Sequence, residues 1–263
     1  MARKRKEEPK EPRKRRGLRR LSLVLGAVGL GLVVVLGTRW TSSIRCERVD
    51  LVGVQHADSA EVLELAQVDT SLALFDIEVA FVADRVQRHP WVRAARVMRF
   101  PTGTLQIVVE ERTPAVIALD REGRPAHYLD REGFFMPLAP GAAYDVPLLR
   151  GLREPYHPVQ PVQDEGLRSL LSAVATLDEE TDALVSELAI QPGGEVVLQT
   201  IALDARGSIP VRLGQDGFAE KLNRLRTFWN RAVLTQPEKT FRVIDLRFDG
   251  QIVTREEAAS GPP

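Results

Sequence analysis

The hydrophobic pattern near the start of the chain is typical of a membrane-spanning helix. Residues 21–37 carry no charge and are mostly Leu, Val and Gly. A helix of this length spans about 26 Å, close to the roughly 30 Å of a bilayer core, and Thr38 extends it. The pattern therefore predicts a transmembrane signal anchor over residues 21–38. The apolar residues predicted to hold it in the membrane are Leu21, Val24, Leu25, Leu30, Val34 and Leu36.

After residue 44 the pattern changes to short amphipathic segments, and it predicts a β-α-α-β-β unit over residues 44–112. Apolar spacing of three and four residues indicates the helices, and alternation indicates the strands. The predicted elements are a strand ending at Gly53, a helix opening at Asp58–Glu61, a helix from near Asp76 to Pro90, and strands at Trp91–Arg99 and Thr104–Glu110. The residues expected to pack between helices and sheet are Trp91, Val97, Leu105 and Ile107.

Residues 113–254 are predicted to form a mainly antiparallel β-domain with two helices. The predicted strands are Ala115–Leu119, His127–Leu129, Val185–Ile190, Glu195–Leu198 and Pro210–Leu213, and the predicted helices are Leu167–Leu177 and Phe218–Ala232. The segment from Asp145 to Gly151 is predicted to lead into a loop. In that loop, Pro155, Pro158 and Pro161 recur every three residues, which favours polyproline II.

The chain closes with two predicted strands, Phe241–Phe248 and Gln251–Thr254. Asp249-Gly250 is a strong signal for a two-residue hairpin turn between them. We therefore expect the last strand at a sheet edge, and a disordered tail over residues 255–263. From the residues alone, protection of this edge by Arg255 and Glu256 is favoured over strand addition by a partner. The fold class is then α+β: one transmembrane helix, a β-α-α-β-β domain and a mainly antiparallel β-domain.

Charge adds a direction to this picture. Residues 1–20 carry eleven Lys and Arg against three Glu, so the remaining chain carries 25 basic and 33 acidic residues. A tail this polar cannot fold alone, and basic residues beside a membrane segment remain on its cytoplasmic side. We expect a cytoplasmic N-terminus and a periplasmic body. The residues that form this topology signal are Arg13, Lys14, Arg15, Arg16, Arg19 and Arg20.

Other interpretations of the N-terminal region fit less well. A cleaved signal peptide would have a shorter basic region and a small-residue cleavage site after Gly37, where Thr38, Arg39 and Trp40 follow instead. A buried core helix would have a polar face. DNA binding by the basic tail is disfavoured, because no aromatic residues or helical pattern accompany the charges.

The sequence offers little material for catalysis. It holds one cysteine, Cys46, and four histidines, and it contains no GxSxG, P-loop, GxGxxG or metal-ligand spacing. Adjacent carboxylates such as Glu110 and Glu111 diverge in an extended strand, unlike a glycosidase pair. We therefore expect no catalytic residue, cofactor, metal or small-molecule substrate.

Two stretches in the first half resemble a POTRA domain. They are VDLVGVQHADSAEV and RHPWVRAARVMRFPTGTLQIVVEERTPAVI, the second of which contains the family pattern that ends in Glu111, Arg112 and Pro114. In the second half, YLDREGFF, DVPLLRG, VRLG and IDLRFDGQIV match further. With the tail and anchor, the whole chain resembles the FtsQ/DivIB family of bacterial cell-division proteins.

The resemblance implies a division scaffold that binds FtsB- and FtsL-like proteins in the inner membrane at the septum and helps to control septal peptidoglycan synthesis. Two alternatives are a POTRA-containing accessory protein of a secretion or envelope-assembly system, and an anchored cell-wall enzyme. The first would need a membrane β-barrel, for which the residues after Arg112 offer too few long strands. The second lacks a catalytic constellation.

The resemblance also reverses the interpretation of the closing strand, because in this family a segment of FtsB adds there. The contact residues that it implies are Phe248, Gly250, Gln251, Ile252, Val253 and Thr254. Glu256 and Glu257 stand where the family has an aromatic residue. Ile252→Pro is then expected to remove an edge N–H group and to weaken partner binding.

Overall fold

The computed structural model describes residues 14–41, 43–139, 144–203 and 206–256. The helices within these ranges are α1 (Lys14–Thr41), α2 (Ser59–Ala66), α3 (Val79–Val86), α4 (Glu165–Val174), α5 (Glu179–Asp182) and α6 (Phe218–Phe228). The strands are β1 (Arg48–Val52), β2 (Val92–Phe100), β3 (Thr104–Glu111), β4 (Pro114–Leu119), β5 (Pro125–Asp130), β6 (Phe135–Pro137), β7 (Leu148–Arg150), β8 (Val185–Ile190), β9 (Val196–Thr200), β10 (Pro210–Gly214), β11 (Phe241–Asp245) and β12 (Val253–Glu256).

The predicted β-α-α-β-β order is confirmed by β1, α2, α3, β2 and β3, whose strands form a sheet in the order β1-β3-β2. Asp58 caps α2 by accepting a hydrogen bond from the Ala60 N–H at 2.7 Å. Gly53 ends β1 with φ +88°, and a Cβ there would lie 2.1 Å from the Val109 carbonyl oxygen. Glycine is therefore required at this turn.

The second helix of this unit begins later than predicted, at Val79 rather than near Asp76. The preceding residues have other partners: Ala73 forms a β-bridge with Arg45, and the Asp76 N–H donates to the Ala73 carbonyl at 2.9 Å. These contacts hold residues 73–76 in a bridge and a turn, so the helix starts beyond them.

The chain divides into two compact units. One contains the described residues up to Asp50 together with Val68–Val79 and Val97–Gln106. The other contains Leu51–Gln67, Ala80–Arg96 and the described residues from Ile107 onward.

The larger sheet, which lies in the second half of the chain, has nine strands in the order β12-β11-β10-β9-β8-β7-β4-β5-β6. The sheet is mainly antiparallel, as predicted, but three of its neighbouring strand pairs, β10–β11, β7–β8 and β4–β7, are parallel. The sequence contains the reason: α6 connects β10 to β11, and α4 and α5 connect β7 to β8. A helical crossover between neighbouring strands makes them parallel.

Short elements account for most of the remaining differences. Two strands were not predicted: β7, which lies in the segment that leads into the proline-rich loop, and β6. Each has three residues, too few for a recognisable alternation. A third helix, α5, joins the two that were predicted, and Asp178 caps it by accepting from the Thr181 N–H at 2.9 Å. α6 ends at Phe228 and continues as a π-helical turn over Trp229–Val233.

The proline-rich loop does not follow the predicted polyproline II geometry. His157 Nδ1 accepts hydrogen bonds from the backbone N–H groups of Val159 and Gln160, at 3.2 and 3.0 Å. Polyproline II leaves its backbone groups to solvent, whereas these bonds bend the chain.

One hydrophobic core supports the nine-stranded sheet. α4 packs against α6 and β4, and most leucines of these helices and of the central strands are fully buried. They include Leu170, Leu171, Leu188, Leu198, Leu213, Leu222 and Leu225.

α1 covers the predicted anchor and extends beyond it on both sides. Its large apolar side chains are exposed, including Val24, Leu25, Leu30, Val34 and Leu36. Among the described residues, no helix combines the length and the apolar character that crossing a membrane requires.

Candidate partner-binding interface

The closing strand β12 lies at one end of the nine-stranded sheet, as predicted. It pairs antiparallel with β11, with Ile244 opposite Thr254 and Asp245 opposite Val253. Within the described residues no strand pairs with its other side. That side presents a row of N–H and C=O groups, which can accept a strand from another chain.

The predicted two-residue hairpin is wrong, because residues 246–252 form a longer connection between β11 and β12. β11 ends at Asp245, whose carboxylate accepts the Arg247 N–H at 3.1 Å. The turn at Asp249-Gly250 is present, with Gly250 at φ +66° and a 3.3 Å hydrogen bond from Gln251 N–H to the Phe248 carbonyl. Strand pairing resumes at Val253 and runs through Arg255 and Glu256, which were predicted to lie in a disordered tail.

The six predicted contact residues therefore fall into two groups. Two lie within β12, Val253 and Thr254, and the others lie in the connection before it, Phe248, Gly250, Gln251 and Ile252. Of these six residues, two have large apolar side chains that are exposed: Phe248, at 50% of its maximal accessible area, and Val253, at 47%. Ile252 instead packs against the hydrophobic core. The edge thus offers the apolar side chains of Phe248 and Val253 beside main-chain groups that pair with no other described strand.

An ion-pair network supports the connection from the β11 side. The Arg247 guanidinium donates to Asp245, with Nη2 2.6 Å from Oδ2, and its Nη1 donates to Glu195 at 2.8 Å. The hydrogen bond from Arg247 holds the pKa of Asp245 below its usual range, and the nearby charge of Arg212 acts in the same direction. The Asp245 carboxylate therefore remains charged at neutral pH and holds Arg247.

Arg224 on α6 supports the same connection. Its Nη1 donates to the Phe248 carbonyl at 3.1 Å and its Nη2 to the Leu246 carbonyl at 3.2 Å. Neither arginine was predicted from the sequence as part of this site. Arg247 lies within the IDLRFDGQIV stretch that carries the family resemblance, whereas Arg224 looks like an ordinary arginine on the surface of a helix.

Two residues of the Glu-Arg-x-Pro motif that carries the POTRA resemblance, Glu111 and Arg112, make structural contacts. Glu111 accepts hydrogen bonds from the backbone N–H groups of Gln55, His56 and Ala57, at 2.9 to 3.2 Å. Burial opposes ionisation of Glu111, but these three N–H groups outweigh it and lower the pKa of the carboxyl. The adjacent Arg112 contacts Asp130 at 2.6 Å, and both side chains are buried.

The predicted anchor and topology residues are only partly described. Lys14, Arg15, Arg16, Arg19 and Arg20 lie within α1, while Arg13 and the residues before it lie outside the described residues. Leu21 also lies within α1, although its side chain is not described. Across the described ranges, no group of three or more His, Cys, Asp or Glu residues is arranged to hold a metal ion.

Comparison with known proteins agrees with this architecture. Residues 44–112 match the POTRA domain of FtsQ type, and residues 114–255 match the family described as FtsQ/DivIB, C-terminal related. The chain is 50% identical over 249 residues to the cell division protein FtsQ of Rhodothermus marinus, covering 94% of this chain and 91% of that protein. It is 41% identical over 241 residues to FtsQ of Salinibacter ruber, covering 91% and 92%.

A solved structure also matches, that of the major extracytoplasmic domain of the trans isomer of DivIB from Geobacillus stearothermophilus. It covers 48% of this chain and 97% of that domain, with 17% identity and a TM-score of 0.34.

The fold is a POTRA domain of FtsQ type followed by a large, mainly β domain with a few helices. The chain belongs to the FtsQ/DivIB family. This membership supports a role in bacterial cell division, and none of the matches indicates an enzymatic activity.

Proposed function

We propose that this protein is a non-catalytic scaffold of the division machinery, which binds FtsB- and FtsL-like proteins and links them to septal peptidoglycan synthesis. The observation that carries this proposal is the position of β12 at an edge of the sheet. A strand added by a partner would form main-chain hydrogen bonds with β12 along that edge. The exposed side chains of Phe248 and Val253 would then discriminate between partners.

We further propose that the chain is a single-pass inner-membrane protein with a cytoplasmic N-terminus and a periplasmic body. Support comes from the uncharged residues 21–37, the basic residues before them and the exposed apolar side chains of α1. A reporter that is active only in the periplasm, fused after Pro263, is expected to be active, and the mature protein should retain Arg3. A processed N-terminus near residue 40 would contradict this topology.

The strand-addition site can be tested with two adjacent proline substitutions, Thr254→Pro and Arg255→Pro. Successive residues of an antiparallel strand direct their N–H groups alternately to the two sides. One proline therefore breaks the pairing with β11, and the other removes a donor from the free edge. The variant that keeps its melting temperature is expected to bind the FtsB-like protein of the same organism at least about tenfold more weakly. Ile252→Pro is a poorer test, because Ile252 precedes β12 and packs against the core.

A matched pair of side-chain variants tests the same site independently. Val253→Glu places a charge at the proposed edge, whereas Leu138→Glu does so beside β6, at the opposite edge of the same sheet. Both residues are exposed, at 47% and 39%. Full-length protein in detergent should bind the partner more weakly with Val253→Glu and normally with Leu138→Glu. Equal affinity of wild type, Val253→Glu and both proline variants would refute the edge-strand site.

A further inference from the structure

We propose that Arg224 is a positioning residue: it holds the connection between β11 and β12 in the conformation that receives the partner. This inference rests on the proposed function of the β12 edge. Arg224 contacts the connection through main-chain carbonyls, so it acts on the shape of the edge rather than on its side chains.

Arg224 holds the connection at two points. Two nitrogens of one planar guanidinium reach two carbonyls two residues apart, those of Leu246 and Phe248. Leu246 is fully buried and its N–H donates to the Arg212 carbonyl at 2.9 Å, so the first carbonyl is fixed by the sheet. Because the guanidinium is rigid, the position of Leu246 determines that of Phe248.

The connection needs such a contact because its outer part has few others. Phe248, Asp249, Gly250 and Gln251 are all exposed, and the space around Gly250 is open to 4 Å from an added Cβ. Ordering a segment like this on binding reduces affinity. The bond from Arg224 to the Phe248 carbonyl orders it beforehand and leaves the phenyl ring exposed for a partner.

Arg224 is committed to this contact. Its side chain is only 18% exposed, and its Nε is buried with no hydrogen-bond partner among the described residues, lying 3.9 Å from Glu220 Oε1. That separation is too long for a hydrogen bond. The two carbonyl contacts thus hold the arginine under the connection. Lysine carries its donors on one flexible nitrogen and cannot reproduce the rigid, planar spacing of the two guanidinium nitrogens.

The test compares Arg224→Gln and Arg224→Lys with Arg226→Gln in the full-length protein. Arg226 lies on the same helix but pairs with Asp178, away from the connection. Loss of preorganisation lowers the fraction of binding-competent molecules, and the apparent affinity falls by that fraction. For Arg224→Gln we expect about tenfold slower association with the FtsB-like protein, a nearly unchanged dissociation rate, and faster amide hydrogen exchange across residues 246–252. Arg224→Lys should fall between Arg224→Gln and wild type, and Arg226→Gln should resemble wild type.

The kinetic readout separates this inference from its alternatives. A side chain that contacts the partner directly acts mainly on dissociation, as expected for Val253→Glu. If Arg224→Gln raises the dissociation rate alone, Arg224 is a contact residue and the positioning role is wrong. If Val253→Glu weakens binding while Arg224→Gln keeps wild-type association and loop exchange, the positioning role fails and the edge site stands. If wild type does not bind the partner, the proposed function fails and the positioning role with it.

Discussion

Asp130→Ala is expected to destabilise the protein by about 3–5 kcal/mol, because it leaves Arg112 as a buried charge without its main partner. Arg112 is 8% exposed and Asp130 2% exposed, and the two side chains meet at 2.6 Å. The guanidinium also lies 3.7 Å from the centre of the Phe134 ring, so it cannot turn to solvent without losing that contact. Denaturant unfolding of full-length protein in detergent, followed by circular dichroism, measures the loss.

The chain provides a matched control for this change in a second turn of the same sequence. Asp120-Arg-Glu-Gly123 repeats the pattern of Asp130-Arg-Glu-Gly133, and each aspartate accepts two backbone N–H groups, two and four residues further on. Asp120, however, pairs with the exposed Arg124. Asp120→Ala thus removes the hydrogen bonds of the turn without leaving a buried charge unpaired. It should reduce the free energy of unfolding by only a small part of the amount lost in Asp130→Ala. Equal losses would show that the turn, and not the buried pair, provides the stability.

The first half of the fold could be predicted because the sequence patterns that indicate its helices and strands are local. Alternation along Thr104–Glu110 and the cap at Asp58 predicted β3 and α2 to within a residue or two. The start of α3 was misplaced, since the bridge between Ala73 and Arg45 joins residues far apart in sequence. Local pattern cannot reveal a partner of this kind.

The second half was less predictable, because its pairing depends on connections as well as on strands. The helices between β7 and β8 and between β10 and β11 imply parallel neighbours, an inference that single-strand patterns do not contain. β7 has three residues and lies between β4 and β8 in the sheet, so its existence depends on both neighbours.

The candidate site was predicted in outline. Its place at the sheet edge followed from the order of the last elements, and the turn at Asp249-Gly250 followed from its residues. The length of the connection did not, because it depends on Arg247 binding back to Asp245 and on Arg224 reaching across from α6. Contacts between a helix and a distant loop leave no mark in a local pattern.

Ile107→Ala is expected to cost about 2–5 kcal/mol of unfolding free energy, as a buried large-to-small change that leaves a cavity. β3 is the central strand of the three-stranded sheet, and Leu105, Ile107 and Val109 along one face are 0%, 0% and 4% exposed. This agrees with the packing predicted for Trp91, Leu105 and Ile107, whereas Val97 is only half-buried. The apolar faces of α2 and α3 need such a surface, since Val62 and Val86 are themselves fully buried.

Val108→Ala is the matched control, because it shortens an aliphatic side chain at the next position of the same strand. Val108 is half-buried on the other face. The unfolding free energy lost in Val108→Ala therefore reflects strand propensity and partial burial only, and it should be about 1 kcal/mol or less. Thermal and denaturant unfolding of the two full-length variants, compared with wild type, measures the difference between the faces. Ile107→Ala should lower the melting temperature by several degrees more than Val108→Ala, because cavity formation adds to the lost transfer free energy. Equal melting temperatures would mean that Ile107 contributes no more to the core than Val108 and that the assigned buried face of β3 is wrong.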